Sequence, residues 1–287
     1  MELSFTKMQG TGNDFVVIDA TKTPFSLLPD VIRALADRHT GIGFDQMLVV
    51  QADETGEADF CYRIFNADGG EVAMCGNGAR CFALYVRNHG LTKKNRIRVR
   101  TMSGIITPEI VSDDMVRVDM GCASFCPEDV PFVSAGFKRT MRQEACLYHA
   151  DIHGAVLTFG VVSMGNPHAV CLVSPEQLAL IETIGPALQA SKAFPEGVNV
   201  GLLAVCSPTK ARLRVFERGV GETLACGSGA SAAFALAHRA GLLKATAQFQ
   251  MRGGNLLMQS GKDGHVLLTG PACEVFEGKI SVRDERQ

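Results

Sequence analysis

Short apolar runs, alternating or continuous, are spaced along this chain by Gly, Pro, Asn and Asp, and two longer stretches are apolar at almost every position. The short runs predict strands at 15–19, 47–51, 62–65, 96–100 and 115–120, and again at 155–162, 169–173, 213–216 and 266–269. The long stretches predict helices at about 78–88 and 229–239, ended by Gly90 and Gly241. In the first, Ala79, Phe82, Ala83 and Val86 interleave with Cys81, Leu84 and Tyr85. The second reads ASAAFALAH. A helix with no polar face is a buried helix. Two amphipathic helices are expected at 29–38 and 175–184, the latter with Ser174 as cap, Pro175 in the first turn and Glu176 facing the helix dipole.

Residues 62–91 align without a gap on residues 213–242 at a constant offset of 151, and ten of the thirty positions are identical. They are Arg63/Arg214, Phe65/Phe216, Gly70/Gly221, Glu71/Glu222, Cys75/Cys226, Gly76/Gly227, Gly78/Gly229, Ala79/Ala230, Gly90/Gly241 and Leu91/Leu242. A two-copy repeat of this period is too long for a solenoid and reads as two related halves. The expected fold class is α+β: two pseudo-symmetric halves, each a curved, mostly antiparallel sheet wrapped around a buried central helix. The halves are set at 1–121, to which the C-terminal segment 272–287 can return, and 122–271.

Composition narrows the function. The chain has 287 residues, 46% hydrophobic, with a net charge of −2 and a pI near 6.4. No basic footprint exists for nucleic acid. The N-terminus lacks a cationic segment followed by an apolar one, and the weakly polar stretch at 154–173 is interrupted by Asn166, Pro167 and His168, so neither a signal peptide nor a membrane span is expected. Ten cysteines without a secretory signal indicate free thiols and a cytoplasmic protein.

The duplicated chemistry is a cysteine in a glycine loop that opens a helix: Cys-Gly-Asn-Gly-Ala (75–79) and Cys-Gly-Ser-Gly-Ala (226–230). Glycines let backbone approach a ligand closely, the free N–H groups of a first helical turn bind a carboxylate, and the same partial charge lowers a cysteine pKa. A single such cysteine reads as a buried structural thiol; its repetition in the same loop points to chemistry. The cysteine spacings do not match zinc sites, C-x-x-C is absent, neither loop holds a Schiff-base lysine, and no phosphate-loop pattern occurs. A non-catalytic amino-acid-binding protein, with the loops as carboxylate cradles, remains the alternative outside enzymes.

The two loops, together with G-x-GNDF (10–15), GIGFDQ (41–46), FNADG (65–69), MGNPH (164–168) and ERG-x-GET-x-ACGSGA (217–230), resemble diaminopimelate epimerase from residue 7 to about 272. Two departures are Ser231, where many members carry another cysteine, and Gly197, where arginine is common. The resemblance implies cofactor-independent, metal-free epimerisation of LL-2,6-diaminopimelate to the meso form, for lysine and peptidoglycan precursors, by a homodimer. Proline racemase and hydroxyproline epimerase share the fold and the paired thiols and are the alternative within it. By the same resemblance Cys75 and Cys226 are base and acid, and Gly76, Asn77, Gly227 and Ser228 hold the α-carboxylate. Asn66 aligns with Glu217 and Ala67 with Arg218, and such asymmetry suits one asymmetric substrate: Glu217 for the reacting ammonium, Arg218 for the distal carboxylate. Asn13 and Asn166 are expected as amide ligands, Gln46 and Asn199 follow from the family alone, and His168 is expected to orient a thiol or Glu217.

Overall fold

A computed structural model describes residues 2–73, 75–152 and 155–282 of the chain; positions 283–287 of the segment expected to return to the first half lie outside them. The chain divides into two compact units, one of Met1–Val118 with Gly270–Gln287 and one of Asp119–Thr269.

In chain order the first unit contains β1 (Glu2–Gly10), β2 (Asn13–Asp19), α1 (Pro29–Ala36), β3 (Gln46–Ala52), β4 (Phe60–Asn66), β5 (Glu71–Val72), α2 (Gly76–Asn88), β6 (Val99–Thr101), β7 (Gly104–Ile106) and β8 (Glu109–Ile110). Strand β9 (Met115–Cys122) carries the chain across the division. The second unit contains β10 (Lys138–Arg142), β11 (Ala145–Ile152), β12 (Ala155–Ser163), β13 (Pro167–Leu172), α3 (Ile181–Gln189), β14 (Asn199–Ser207), β15 (Lys210–Glu217), β16 (Gly221–Thr223), α4 (Gly227–Arg239), β17 (Thr246–Met251) and β18 (Gly254–Ser260), and β19 (His265–Pro271) carries the chain back across the division at Gly270. Strand β20 (Cys273–Ser281) belongs to the first unit again.

The first sheet runs β20-β1-β2-β3-β4-β6-β7, with β5 beside β4. It is antiparallel except at β2/β3 and β4/β6, where α1 and α2 make the crossovers. The second unit repeats the scheme, with parallel pairs β13/β14 and β15/β17 crossed by α3 and α4. Its sheet runs from β10 through β15, then β17-β18-β19-β9, with β16 beside β15.

Burial on both faces explains the continuous apolar runs of the central strands. On β2 and β3, Val16, Ile18, Met47 and Val49 join Ile32, Leu35 and Ala36 of α1 in one cluster. Alternation turns Phe15, Val17, Leu48 and Val50 to the opposite face, where α2 packs. In the second unit Phe159, Cys171 and Leu202 pack with Ile181, Ile184 and Leu188 of α3, and Val162, Val170 and Leu203 with Phe234 and Leu236 of α4. Both central helices are enclosed: every residue from Asn77 to Val86 of α2 is buried. Gly160 permits the approach of α4, because a Cβ there would lie 2.5 Å from Leu236 Cδ1. The helix expected at 175–184 is instead a 3₁₀ turn over Glu176–Leu180, with Ser174 Oγ accepting from Gln177 N–H, followed by α3; Leu180, at φ −82° and ψ 8°, breaks the helical run. No helix among the described residues is long and apolar enough to cross a membrane.

Candidate active site

Each cysteine loop is delivered by a hairpin pinned by a charged fork. Arg63 on β4 donates Nε and Nη2 to the Glu71 carboxylate at 2.7 and 2.8 Å; Arg214 on β15 does the same to Glu222 at 2.6 and 2.7 Å. Such bidentate pairs add direction to charge, and they account for two of the ten identities of the repeat, Arg63/Arg214 and Glu71/Glu222.

Beyond the hairpins, Cys75 is the N-cap of α2 at φ −141° and ψ 115°, and its Sγ accepts the Gly78 N–H at 3.4 Å. Cys226 caps α4 at φ −126° and ψ 112°, and its Sγ accepts the Gly229 N–H at 3.4 Å. A cap acceptor satisfies one of the N–H groups that the first turn leaves without an intrahelical partner. Gly78 is required for close packing: a Cβ there would come within 2.3 Å of the buried Tyr62 Oη.

Equivalent polar residues stand at equivalent strand ends. In the first unit β2 begins at Asn13, β3 begins at Gln46 and β4 ends at Asn66, with Gln46 opposite Asn66 in register. In the second, Asn166 precedes β13, β14 begins at Asn199 opposite His168, and β15 ends at Glu217.

Asn13 Oδ1 accepts from the Cys75 thiol at 3.9 Å and from Asn77 Nδ2 at 3.3 Å, while Asn13 Nδ2 donates to Asp45 at 2.7 Å. Asp45 also accepts from Arg38, whose guanidinium forks onto Asp14 at 2.8 and 2.9 Å; Lys7 donates to Asp14 and to the Gly43 carbonyl. Burial works against ionising Asp14, but Arg38 and Lys7 outweigh it and hold the carboxyl well below the usual carboxylate range. Gln46 Nε2 donates to Asn66 Oδ1 at 2.8 Å, and Gln46 Oε1 is buried with no hydrogen-bond partner among the described residues.

In the second unit the Cys226 sulfur lies 3.5 Å from Ser228 Oγ, which accepts from Asn166 Nδ2 at 3.2 Å. Asn166 Oδ1 lies 2.9 Å from His168 Nε2; a carbonyl only accepts, so Nε2 carries the proton. His168, expected to orient a thiol or Glu217, is linked to the Cys226 sulfur through Asn166 and Ser228. Burial pushes its pKa down to about 3, so the ring is neutral near pH 7. Asn199 donates to the Pro167 carbonyl at 3.1 Å and accepts the Arg218 N–H at 2.9 Å, so its amide is engaged by backbone at both ends. Glu217 accepts from the Thr223 hydroxyl at 2.6 Å, and the exposed Arg218 side chain donates to the Glu196 carbonyl at 2.9 Å.

A helix N-terminus is expected to lower a thiol pKa, and Cys226 is shifted in the opposite direction. Burial and the neighbouring Glu217 carboxylate push it well above the ordinary cysteine value, against the Ser228 hydroxyl and the Gly229 N–H. Cys226 is accordingly a thiol near neutral pH. Among the described residues, the side chains spaced to hold a metal are His89, Glu274 and Glu277, a group that includes neither cysteine. Sequence reasoning missed Arg80, Thr11 and the Asp14–Arg38–Asp45 network. The available signal for Arg80 was its mismatch with Ser231 inside the repeat.

The family model described as diaminopimelate epimerase matches residues 5–126 and 160–275. The diaminopimelate epimerase of Nitrosomonas europaea is 51% identical over 284 residues, covering 98% of this chain and all of the relative; that of Laribacter hongkongensis is 49% identical over 285 residues, with 98% and 100% coverage. Among solved structures, a PhzF-family phenazine biosynthesis protein of Bacillus anthracis superposes with a TM-score of 0.68 at 14% identity, covering 98% of this chain and 100% of that one. A hydroxyproline epimerase of Agrobacterium vitis gives 0.62 at 14% identity, covering 99% and 94%. These two share the fold. The matched family model and the full-length relatives go further: the chain belongs to the diaminopimelate epimerase family.

Proposed function

We propose that the protein interconverts LL- and meso-2,6-diaminopimelate without a cofactor, with Cys75 and Cys226 as the acid–base pair. The observation that carries this reading is the duplication of one thiol geometry: each sulfur caps a buried helix and accepts the N–H of that helix's third residue at 3.4 Å. Epimerisation requires only that a proton leave one face of the α-carbon and another arrive at the opposite face. The thiolate of one cysteine takes the α-hydrogen, the electron pair of the broken C–H bond stays on carbon, and the S–H of the other cysteine breaks to form the new C–H bond. The charge then rests on the second sulfur, from which the reverse reaction starts.

The α-carboxylate, held by the first-turn N–H groups at Gly76–Asn77 and Gly227–Ser228, delocalises that electron pair against fixed positive dipoles. Burial and Glu217 favour Cys226 as the thiol, and the proposal assigns Cys75 as the base of the free enzyme. Glu217 receives the reacting ammonium and Arg218 the distal carboxylate, while Asn13, Asn66, Asn166 and the unpartnered Gln46 Oε1 supply further polar contacts. His168 and Asn199 support these groups. A cytoplasmic homodimer belongs to the same reading. Val275 and Phe276 on the edge strand β20 are half exposed, a surface suited to another chain.

The test is incubation in deuterated water with LL-diaminopimelate, L-proline or trans-4-hydroxy-L-proline, following optical rotation and α-deuterium. Deuterium in diaminopimelate supports the proposal. Turnover of a cyclic substrate alone selects the proline-type alternative, and tight binding without exchange makes the protein a binder.

A further inference from the structure

Arg80 lies on α2, just past the first turn, and its side chain is fully buried. Its neighbours along the helix are Ala79, Cys81, Phe82 and Ala83. Its three donor groups go to three neutral acceptors: Nε to the Pro271 carbonyl at 3.1 Å, Nη1 to Asn77 Oδ1 at 3.0 Å and Nη2 to Thr11 Oγ1 at 2.9 Å. No carboxylate pairs with it among the described residues. A buried cation without an anion is costly, and such charges are normally paired. The groups whose negative form would favour its charge are the thiols of Cys81 and Cys75. Burial pushes Cys81 up to about 12, so it stays protonated, and Cys75 is left as the group able to supply the anion.

Arg80 is also tied to Cys75 by hydrogen bonds. A guanidinium only donates, so Asn77 must turn Oδ1 towards it and Nδ2 towards Asn13. With Asn77 on one side and the Asp45 carboxylate on the other, Asn13 is fixed with Oδ1 facing the Cys75 thiol. Among the described residues, Tyr62 on β4, whose buried hydroxyl is neutral, the Cys81 thiol and the Gly78 N–H also face Cys75. The second unit has no counterpart. Ser231 occupies the position equivalent to Arg80, is fully buried, and donates to the Gly227 carbonyl at 2.9 Å. There the charge beside the thiol is the Glu217 carboxylate.

We propose that Arg80 is a positioning residue for Cys75: it is the buried counter-charge of the anionic sulfur and, through Asn77 and Asn13, fixes the direction in which the thiol points. The proposal rests on the reading of Cys75 as an acid–base group and names what prepares it for that role. Arg80 does not touch the substrate.

Site-resolved alkylation of the full-length protein by iodoacetamide across pH, with the modified peptides identified by mass, tests it. In the unaltered protein the midpoint for Cys75 is expected below that for Cys226. Arg80→Met is expected to raise the Cys75 midpoint by about half a pH unit or more and leave that of Cys226 in place, and Arg80→Lys to keep the original value. An unmoved Cys75 midpoint in Arg80→Met, or an equal shift at both cysteines, overturns the proposal. If Arg80→Met does not fold, Arg80→Gln, which keeps hydrogen-bond donors and removes the charge, decides by the same reading: an unmoved Cys75 midpoint overturns the proposal, and a raised one supports it. The readout needs no turnover, so failure of the epimerase reading, seen as absence of α-deuterium, is a separate result.

Discussion

Helices α2 and α4 open on the same backbone and on opposite electrostatics. Their caps agree within about 15° in φ and 3° in ψ, and both sulfurs receive an N–H at 3.4 Å. Around Cys75 stand a buried arginine and neutral amides; around Cys226 stand a glutamate, a serine and a neutral histidine. The repeat keeps one cap geometry in both units, and in the proposed mechanism the contrasts Asn66/Glu217 and Arg80/Ser231 set the two thiols apart. A base and an acid must differ in resting protonation even when they exchange roles in each turnover, and side-chain charge sets that difference without disturbing the caps.

The strongest way to break the comparison is to remove one sulfur at a time. Cys75→Ala and Cys226→Ala should each lower turnover of diaminopimelate by about 10²–10⁴-fold or more, the range of positioned acid–base groups. The double variant should lose little beyond either single one, because the two act as a unit. Deuterium exchange at the α-carbon measures all three, and substantial exchange in either single variant would end the two-thiol mechanism.

A smaller loss is expected at the asymmetric pair Ala67/Arg218. In the proposed role, Arg218→Ala removes a bidentate partner for a distal carboxylate, worth about 1.5–3 kcal/mol for hydrogen bonds to a charged group, or roughly ten- to a hundred-fold in kcat/KM. Its present contacts to Glu196 and Asn199 are to a carbonyl and from its own backbone N–H, so little stability should be lost with it. Unchanged kcat/KM with diaminopimelate would show that Arg218 has no substrate role.

What could be read from the sequence follows from which residues announce themselves locally. The central helices and the strands at 15–19 and 47–51 were legible because burial on every side leaves unbroken apolar runs. Strands β10 and β20 were not. All five residues of β10 are exposed, and β20 is mostly exposed and pairs with β1 at the opposite end of the chain, so neither carries a local apolar pattern. At the site, the cysteines and the Asn66/Glu217 contrast stand out in the repeat. The relays Arg80–Asn77–Asn13 and His168–Asn166–Ser228 depend on which way each amide faces, and residue order does not encode that. Arg80 was further masked by the apolar helix around it.

Packing beneath the caps gives the next difference. Gly78 sits over Tyr62, where the second unit has Leu213, and a Cβ would meet Tyr62 Oη at 2.3 Å and Leu48 Cδ2 at 3.2 Å. Tyr62 is fully enclosed, so the ring cannot move aside. At Gly229 the nearest atoms are Val215 Cγ2 at 3.1 Å and Cys226 Sγ at 3.3 Å, which a few tenths of an ångström relieve. Gly78→Ala should therefore cost about 1–3 kcal/mol by overpacking, and Gly229→Ala clearly less. Urea unfolding of the two variants compares them directly; equal losses would mean that the enclosed tyrosine does not set the packing beneath α2.

The smallest expected effect separates the units by pH. His168 is buried and neutral with its pKa depressed to about 3, against an ordinary 6.5. Below pH 6.5 the unfolded chain binds a proton that the native ring refuses until about pH 3. Stability therefore falls with falling pH across that window and levels off beneath it, at up to about 1.4 kcal/mol for each pH unit. Near pH 5.5 the loss from this ring is roughly 1.4 kcal/mol. In the first unit Phe15 holds the corresponding strand position, and the strongly shifted acids are Asp14 and Asp53, whose carboxyls are depressed below 3.8. Their stabilisation is complete above pH 3.8 and is lost only as pH falls through the lower folded values. Between about pH 6 and 4 the second unit should loosen first, and hydrogen exchange read by mass should show protection falling in β13 and β14 while β2 and β3 stay protected. His168→Gln, which keeps a donor for Asn166, should flatten the stability of the protein over the same range. Simultaneous loosening of both units in the unaltered protein, or an unchanged acid slope in His168→Gln, would assign the acid sensitivity to groups other than this ring.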